Sequence, residues 1–429
     1  MDISGYIRGE SHIPAMAKEE SETTFACTAD LKANYFFNEY FSAFIELRGR
    51  AYGIGDDPGA KLDLRDGYLK FNGDCLDIMI GQQIIAWGQA DGINPTDNLC
   101  ARDMTIFSSE PDDQRRGAPA LKTDLYIDNF TITGVWQLYR ESKALGPFFP
   151  EKLEVKPGNK SRPLIIYPAD QINILSPDLP DKDIRDSSIA LKCSGNISSL
   201  DFSISYFHGY STYPDYQYFK IKHGPGYKFG AEYDIARKFD RLNIFGADFA
   251  LAVDPFVLRG EAAYIKTGFD DEKYPERRQP YLHYVIGPEW QCTEDLVVST
   301  QYSMKYIPDF KTVEDLFGAD LKAMHEEQLI KREITRFNRK SHSEERRVND
   351  QLTLRVSSYF LQKTLMIEIK GAYQFDKEEY RINPEISYDI NDRINVTAAA
   401  GLFFGPKESQ FDMRGKSYNQ FFVEIKYSF

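Results

Sequence analysis

The sequence has no long hydrophobic run. Nothing in its 429 residues approaches the ~18 continuous apolar residues that a membrane-spanning helix requires. Its mean hydropathy is −0.47, so a helical membrane protein is excluded. An excess of basic charge is also lacking, since 52 Lys and Arg stand against 65 Asp and Glu and give a net charge of −13. A nucleic-acid binder that relies on bulk positive charge is therefore excluded.

Histidine and cysteine are scarce and form no recognisable site. The six histidines show no metal-ligand spacing, and the five cysteines lie far apart without CxxC or CxxCH. A phosphate-binding glycine loop, a GxSxG elbow and paired catalytic carboxylates are missing as well. The sequence therefore predicts no enzyme, no metal and no cofactor. It also begins without a basic and apolar leader, which predicts the mature form of an exported protein, with the signal peptide absent.

What the sequence does contain is alternation with a period of two residues. In the last strand, the apolar face carries Phe421, Val423, Ile425, Tyr427 and Phe429. The other, mostly polar face carries Phe422, Glu424, Lys426 and Ser428. Aromatic residues reach 14%, and similar segments recur along the whole chain. Such alternation suits a soluble sandwich with an apolar core, and equally a membrane barrel with apolar residues facing lipid.

The connections between these segments distinguish the two folds. Strands are predicted near residues 2–9, 24–35, 41–51, 62–71, 76–87, 120–128, 130–139, 187–194, 200–208, 241–253, 256–266, 281–290, 296–306, 350–360, 364–375, 381–390, 393–404 and 420–429. Short turns and mostly long loops then alternate, which is the arrangement of outer-membrane barrels with short periplasmic turns and long extracellular loops. A sandwich has no reason to keep this parity.

We therefore predict an all-β chain in which residues 1–429 form one transmembrane antiparallel β-barrel of about 18 strands, within a range of 16–20. One hairpin leaves the number open. Tyr227, Phe229, Ala231, Tyr233 and Ile235 alternate like a lipid-facing strand after the segment Tyr218–Lys222. The hairpin is either an extracellular excursion, which gives 18 strands and is favoured, or part of the wall, which gives 20.

Several segments carry a resemblance to known families. The terminal Phe429 with apolar residues at alternate positions before it resembles the signature by which the assembly machinery recognises bacterial outer-membrane barrels. The segments Gly81-Gln82-Gln83, Trp87-Gly88 and Asn94-Pro95-Thr96-Asp97 resemble a motif of substrate-type porins in the alginate-export superfamily, and Gly246–Phe249 with Leu258–Tyr264 resembles a later hairpin of the same relatives. This resemblance implies a porin and leaves the solute open.

Charged residues on the polar face of the strands are the candidate pore lining. They are Asp30, Lys32, Glu46, Arg48, Arg50, Lys122, Asp124, Arg259, Glu261, Arg355, Glu368 and Lys370. Such rows can sort solutes by charge, or can simply pair across strands on a wet wall. Arg48 and Arg50 are the best candidates for a solute contact, because two guanidinium groups on one face can hold a carboxylate or a phosphate.

The loop 88–119 is the candidate constriction, because its apolar points Ile93, Leu99, Met104 and Phe107 allow it to fold back into the barrel. Its charged candidates are Asp97, Arg102, Asp103, Arg115 and Arg116. The alternative is an external loop held by Asx and Pro turns. A disulfide between Cys75 and Cys100 would require this loop to fold back far enough.

Two further loops differ in character. Seven prolines in the loop 140–186 exclude a continuous helix and predict an extended course across the outer mouth. In the loop 307–349, apolar residues from Val313 to Phe337 recur near helical spacing. This loop is predicted to form an amphipathic helix that caps or plugs the pore, or one that covers other loops or docks a protein partner.

These features predict a passive channel of the bacterial outer membrane for small polar or charged solutes. Its surroundings would be outer-membrane lipid and lipopolysaccharide, and its folding would depend on the barrel-assembly machinery. The acidic total favours cations on average, although local arginine rows can reverse this for an anion. The alternative function is a sleeve or docking component for a partner such as an export system, a polymer or an electron-carrier protein.

Overall fold

The computed structural model describes the chain except residues 16–22, 54–58, 91, 107, 144–151, 156–164, 169–171, 182, 223–231, 269–273, 319, 321–323 and 408. Eighteen long strands form one sheet. In chain order they are β1 (Asp2–Pro14), β2 (Thr24–Phe36), β3 (Phe41–Tyr52), β4 (Gly59–Asn72), β5 (Leu76–Gln83), β6 (Ala118–Ile127), β7 (Phe130–Gln137), β8 (Ser188–Ile197), β9 (Leu200–Tyr210), β10 (Arg241–Val253), β11 (Phe256–Thr267), β12 (Tyr281–Gln291), β13 (Leu296–Tyr306), β14 (Val348–Phe360), β15 (Leu365–Gln374), β16 (Glu379–Asn391), β17 (Ile394–Phe404) and β18 (Gln420–Ser428).

The sheet closes on itself as an antiparallel barrel. Each strand pairs with its neighbours in sequence, and β18 pairs with β1 in a register that joins Ser428 to Tyr6 and Gln420 to Pro14. The backbone groups of Gly5 and Phe429 exchange two hydrogen bonds of 3.0 Å at this seam. Closure satisfies the edges that an open sheet would expose, and the predicted number of 18 strands is confirmed.

The barrel is inverted relative to a soluble protein. Apolar side chains such as Ile7 and Ile80 are 51% and 58% exposed on the outer face. Charged side chains alternate with apolar ones along the strands and lie on the inner face, where Arg8 and Glu368, for example, are 1% and 2% exposed. Because only lipid tolerates a continuous apolar outer band and only a wet interior tolerates rows of ionised groups, this face pattern is that of a membrane barrel.

The connections follow the predicted parity. Short turns join β2 to β3, β4 to β5, β6 to β7 and every second pair thereafter, whereas long loops connect most strands at the other end. The doubtful hairpin is an excursion, since Asp215–Lys222 pairs with Glu232–Lys238 in a separate three-stranded sheet completed by Ile172–Ile174. Tyr227, Phe229 and Ala231 lie outside the described residues.

Three helices lie in the long loops: α1 (Val313–Phe317), α2 (Glu326–His342) and α3 (Gln410–Tyr418). Within the described residues, no helix is both long and apolar enough to cross a membrane. The described parts of the loop 140–186 are extended, with Lys152–Val155 paired to Ile165–Pro168. All five cysteines are free thiols, so the conditional pairing of Cys75 with Cys100 is not formed.

The helix α2 packs on the three-stranded sheet of the neighbouring loops, and we call this unit the outer assembly. Leu329, Ile330 and Ile334 of α2 form one buried cluster with Tyr233 and Ile235. The apolar alternation of Tyr233 and Ile235 therefore serves this packing and does not face lipid. Asn338 fastens the helix, because its side-chain amide donates hydrogen bonds to the carbonyls of Tyr216 at 2.7 Å and Glu276 at 2.6 Å.

Candidate solute passage

Residues 84–117, which connect β5 to β6, fold into the barrel, and we call them the inserted loop. Ile85, Trp87 and Leu99 pack against an apolar patch on the inner face of β6–β11. We call this patch the apolar wall; it consists of Ala120, Val135, Ala190, Phe207, Leu242, Ile244, Ala263 and Ile265. Each fully buried apolar side chain contributes about 1.5–3 kcal/mol to such packing. Of the predicted apolar points, Phe107 lies outside the described residues.

Glu261 of β11 anchors the start of the inserted loop. Its buried carboxylate accepts hydrogen bonds from the backbone N–H groups of Gln89 and Ala90, both at 2.6 Å, and from the Thr96 hydroxyl at 3.0 Å. Gly88 makes this approach possible, because it adopts φ +108° and a Cβ there would lie 2.5 Å from Glu261 Oε1. The predicted pore-lining role of Glu261 thus coincides with a structural one.

The five charged candidates in the inserted loop stabilise the conformation of that loop. Asp97 is buried and binds Arg102 at 3.1 Å and Arg115 at 3.2 Å, and it also accepts the Trp87 N–H at 3.3 Å. Asp103 pairs with Lys143 at 3.2 Å. Arg116 donates to the carbonyl of Glu141 at 2.6 Å. These contacts of the five residues therefore lie within the inserted loop and at the base of the next long loop.

A second set of loop residues reaches the opposite side of the barrel. Asp113, in the short 3₁₀ helix Pro111–Gln114, binds Arg8 of β1 at 2.5 Å and Arg48 of β3 at 2.7 Å. Next to it, Ser109 donates to Glu424 at 2.5 Å and Glu110 pairs with Lys426, both on β18. The inserted loop is thus attached to β11 near its start and to β18, β1 and β3 near its end. It therefore bridges the lumen.

The opposite side is a dense network of ion pairs, which we call the charged wall. It consists of Arg8, Glu10, Asp30, Glu46, Arg48, Arg50, Arg65, Glu424 and Lys426 on β18 and β1–β4. Arg48 binds Asp30 at 2.8 Å, and Arg50 binds Glu10 at 3.0 Å. The two arginines favoured for solute contact therefore each hold a carboxylate of the protein.

The other predicted wall residues form three separate groups. Lys122 pairs with Asp124 at 2.9 Å on β6, and Arg259 lies 3.8 Å from Glu289. In another part of the barrel, the buried Glu368 forms ion pairs with Arg355, at 2.6 Å, and with Lys370. Lys32 remains partly exposed, 4.0 Å from Glu46. The structure brings Asp30, Lys32, Glu46, Arg48 and Arg50 together, but it separates them from the remaining candidates.

Sequence reasoning missed the residues that complete the charged wall. Arg8 and Glu10 alternate with Ile7 and Gly9, so the same alternation that placed Arg48 could have found them. Asp113 had no such signal, because an acidic pair within an irregular loop has no periodicity. Its partners depend on how the inserted loop crosses the barrel.

Beside the inserted loop lies a cavity of about 360 Å³ between residues 84–87 and the inner faces of β4–β8. Its lining includes Asp66, Tyr68, Trp87, Lys122 and Lys192. Lys192 lies 5.8 Å from the centre of the Trp87 ring and 3.6 Å from Asp248. This cavity combines aromatic surface with charges of both signs, which suits small polar solutes with an apolar part.

A buried ionic cluster ties the outer assembly to the rim of the barrel. Asp215 lies 3.0 Å from Arg278 and 2.8 Å from His342, and Asp240 lies 2.8 Å from Arg277. Burial opposes the ionisation of Asp215, but Arg278 and His342 outweigh it and lower its pKa. Burial, with the nearby charge of Asp215, raises the pKa of Asp240 to about 6. The cluster is therefore able to respond to mild acid.

Comparison with known proteins gives a family and a fold. Residues 55–429 match the family described as "Protein of unknown function (DUF1302)". No curated protein matches this chain significantly. Within the described residues, His, Cys, Asp and Glu side chains form no group of three or more that could hold a metal ion.

Among solved structures, the chain is similar to three bacterial proteins over nearly its whole length. Acinetobacter baumannii OccAB3 has TM-score 0.54 and 10% identity, covering 100% of this chain and 98% of that one. OccAB1 of the same organism has TM-score 0.53 and 9% identity, with 100% and 96% covered. Pseudomonas aeruginosa OccK11 (OpdR) has TM-score 0.52 and 7% identity, with 99% and 95% covered. These neighbours are outer-membrane β-barrel porins, and at such identities the likeness establishes the fold alone.

Proposed function

The chain belongs to the DUF1302 family, and we propose that it is an outer-membrane channel for the passive diffusion of small polar or charged solutes. The observation that carries this proposal is the inverted barrel, with apolar side chains exposed outside and ionised side chains enclosed. Solutes would pass beside the inserted loop, through the part of the lumen that it leaves open. No chemical step is involved, because the passage selects by size and charge.

The inserted loop makes the passage narrow rather than open. It is attached to β11 through Glu261 and to β1, β3 and β18 through Asp113, Ser109 and Glu110. We propose that this bridge is the constriction. The predicted candidates Asp97, Arg102, Asp103, Arg115 and Arg116 then act by fixing the loop shape, and the ion pairs of Asp113 with Arg8 and Arg48 fix where the loop ends and contribute to the charge beside the passage.

Planar-bilayer recording tests the channel directly. Insertion of the purified protein should raise the current in stable steps, and the current should be ohmic. A variant with residues 89–116 replaced by a short Gly/Ser linker should conduct severalfold more current. A variant lacking residues 410–418, which form α3, has the inserted loop intact and should keep the wild-type conductance. If neither the wild type nor the loop variant conducts, the channel proposal is wrong.

The alternative of a sleeve around a polymer or an electron-carrier protein fits less well. Such a sleeve requires an unobstructed bore, whereas the inserted loop bridges this one. We also propose that α2 covers the loops at the outer mouth, because its apolar side packs on Tyr233 and Ile235. Docking of a protein partner at the loop 307–349 would then use the exposed polar side of α2.

Two finer relations belong to the same proposal. The resemblance to the alginate-export superfamily is supported by the roles of Trp87, Gly88 and Asp97, which position the start of the inserted loop. For assembly, we infer that the C-terminal strand ending in Phe429 is the element recognised by the barrel-assembly machinery. Its pairing with β1 at Gly5 closes the barrel, so it is the last strand needed.

A further inference from the structure

The outer face of the barrel carries almost no ionisable side chains apart from Tyr and Cys. Over the outward-facing positions of the described strands β1–β18, only His208, Arg241, Lys266 and Asp350 are acidic or basic. Asp350 lies on β14 and accepts a hydrogen bond from Tyr302 at 2.9 Å. The other three lie on the adjacent strands β9, β10 and β11, at the end that carries the long loops. Their clustering therefore calls for a specific partner.

The register places them in a row above a row of aromatic residues. His208 lies opposite Asn243, and Asn243 lies opposite Lys266. One step closer to the middle of the barrel, Tyr206, Phe245 and Tyr264 lie opposite one another in the same way. Outward aromatic residues mark the level where acyl chains meet headgroups. The basic row therefore lies at the height of the lipid headgroups.

Hydrogen bonds hold this row in place and leave it positively charged. Arg241 Nη1 donates to His208 Nε2 at 3.2 Å, which leaves His208 Nδ1 to donate to Asn243 Oδ1 at 2.9 Å. Arg241 also pairs with Asp186 at 3.2 Å. Lys266 is exposed and forms no ion pair with any residue that the structure describes. Within the described part of the chain, one guanidinium and one ammonium thus face a single carboxylate.

We propose that Arg241 and Lys266 bind the phosphate group of an outer-leaflet lipid, the lipid A part of lipopolysaccharide, and that His208 holds Arg241 in position. Arginine and lysine are the usual ligands of phosphate, and the acyl chains of the same lipid would lie along Phe245 and Tyr264. The inference rests on the proposed outer-membrane location and does not depend on conduction. It assigns the β9–β11 side of the barrel to a bound lipid.

Native mass spectrometry of the full-length protein in detergent tests this site with bisphosphorylated lipid A as the probe. We expect one lipid A to bind in preference to its dephosphorylated form. Lys266→Gln should weaken this binding about fivefold, the effect of about 1 kcal/mol for one basic residue at an anionic surface. Lys266→Arg should retain it. Lys407→Gln, an exposed lysine between β17 and β18 at the same end, is the matched control and should bind as the wild type does.

Three results would overturn the proposal. The first is that Lys266→Gln binds lipid A as well as the wild type does. The second is that Lys266→Gln loses affinity for dephosphorylated lipid A by the same factor as for lipid A. The third is displacement of lipid A by millimolar inorganic phosphate, which would indicate a free anion as the ligand. Bilayer conductance of Lys266→Gln should equal that of the wild type, so failure of the lipid site and failure of the channel are distinguished.

Discussion

The apolar wall and the charged wall hold the same inserted loop by opposite chemistries. At the apolar wall, Trp87 and Leu99 pack into a cluster with Phe207 and Ile244, and this packing is non-directional. At the charged wall, Asp113 meets Arg8 and Arg48 in hydrogen-bonded ion pairs of fixed geometry. The apolar wall therefore stabilises docking without fixing the exact position of the loop, and the charged wall sets where the loop ends and which charges border the passage.

The difference matters because the two kinds of contact fail differently. Loss of one apolar contact leaves a smaller cluster that still packs. Loss of one partner of a buried ion pair leaves the other charge uncompensated, which costs about 3–5 kcal/mol. We therefore expect substitutions on the apolar wall to loosen the loop gradually, and substitutions at the charged wall to change the selectivity of the passage.

The largest effect is expected where the two chemistries meet, at Glu261. In Glu261→Ala the N–H groups of Gln89 and Ala90 lose their acceptor, at about 1–3 kcal/mol each. The inserted loop should then detach, and limited proteolysis within residues 84–117 should become at least about tenfold faster than in the wild type. Glu289→Ala, a half-exposed carboxylate on the neighbouring strand β12, is the control and should leave the loop protected. Equal protection of the loop in both variants would show that Glu261 is not its anchor.

A smaller effect is expected from Asp113→Asn, which removes one negative charge between Arg8 and Arg48. Neither arginine is left without a carboxylate, because Arg8 keeps Glu10 and Arg48 keeps Asp30 as its partner. The passage becomes more positive, so the permeability ratio of chloride to potassium should rise severalfold, as for about 1 kcal/mol of interaction between charges near water. The reversal potential in a KCl gradient measures this ratio.

Two controls separate selectivity from loop stability. Asp112→Asn removes an exposed carboxylate that pairs with Arg115 and should leave the permeability ratio unchanged. Ile244→Val on the apolar wall should destabilise loop docking by about 0.5–1.5 kcal/mol, also without changing the ratio. A shift in either control as large as that of Asp113→Asn would contradict the division between the two walls.

The smallest effect is expected outside both walls, in the outer assembly. Because the folded pKa of Asp240 is raised to about 6, the folded state holds a proton there that the unfolded chain has released above about pH 4. The contribution of Asp240 to stability therefore decreases as pH rises through about 6. Asp215 acts in the opposite sense, since its lowered pKa makes its contribution present above about pH 4 and lost in stronger acid.

Hydrogen exchange measures this response. After correction for intrinsic rates, amides of α2 and of Tyr216 should be better protected at pH 5 than at pH 7.5, whereas barrel strands such as β15 should show no difference. Asp240→Asn should remove the pH dependence and keep the protection high. Unchanged protection of α2 between the two pH values in the wild type would refute this role of Asp240.

Much of the fold was predictable from local patterns. Alternation at Phe421, Val423 and Ile425 placed one face outward, and the parity of turns and loops gave 18 strands. The pattern failed at Tyr233 and Ile235, which alternate as lipid-facing residues do but pack against α2. Periodicity reports that a face is apolar and does not report whether lipid or a helix covers it.

The candidate site was predictable only in part for a related reason. Arg48 and Arg50 were placed on the inner face by their alternation, but their partners were not. Glu10 comes from another strand, and Asp113 comes from a loop without periodicity. The pairing of Arg48 with Asp113 depends on the crossing of the lumen, a contact between residues 65 positions apart.

By itself the sequence determined which side chains share the apolar face of each strand and which share the polar face, because a strand alternates its side chains regardless of its neighbours. It also determined that the first and last strands are oriented as closure of an antiparallel barrel requires, since an even number of strands places both of their free ends on the side of the short turns. Only the tertiary structure decided that the inserted loop lies inside the barrel and that Asp113 meets Arg8. Those contacts depend on how irregular chain packs against a curved wall, and no local periodicity encodes that packing.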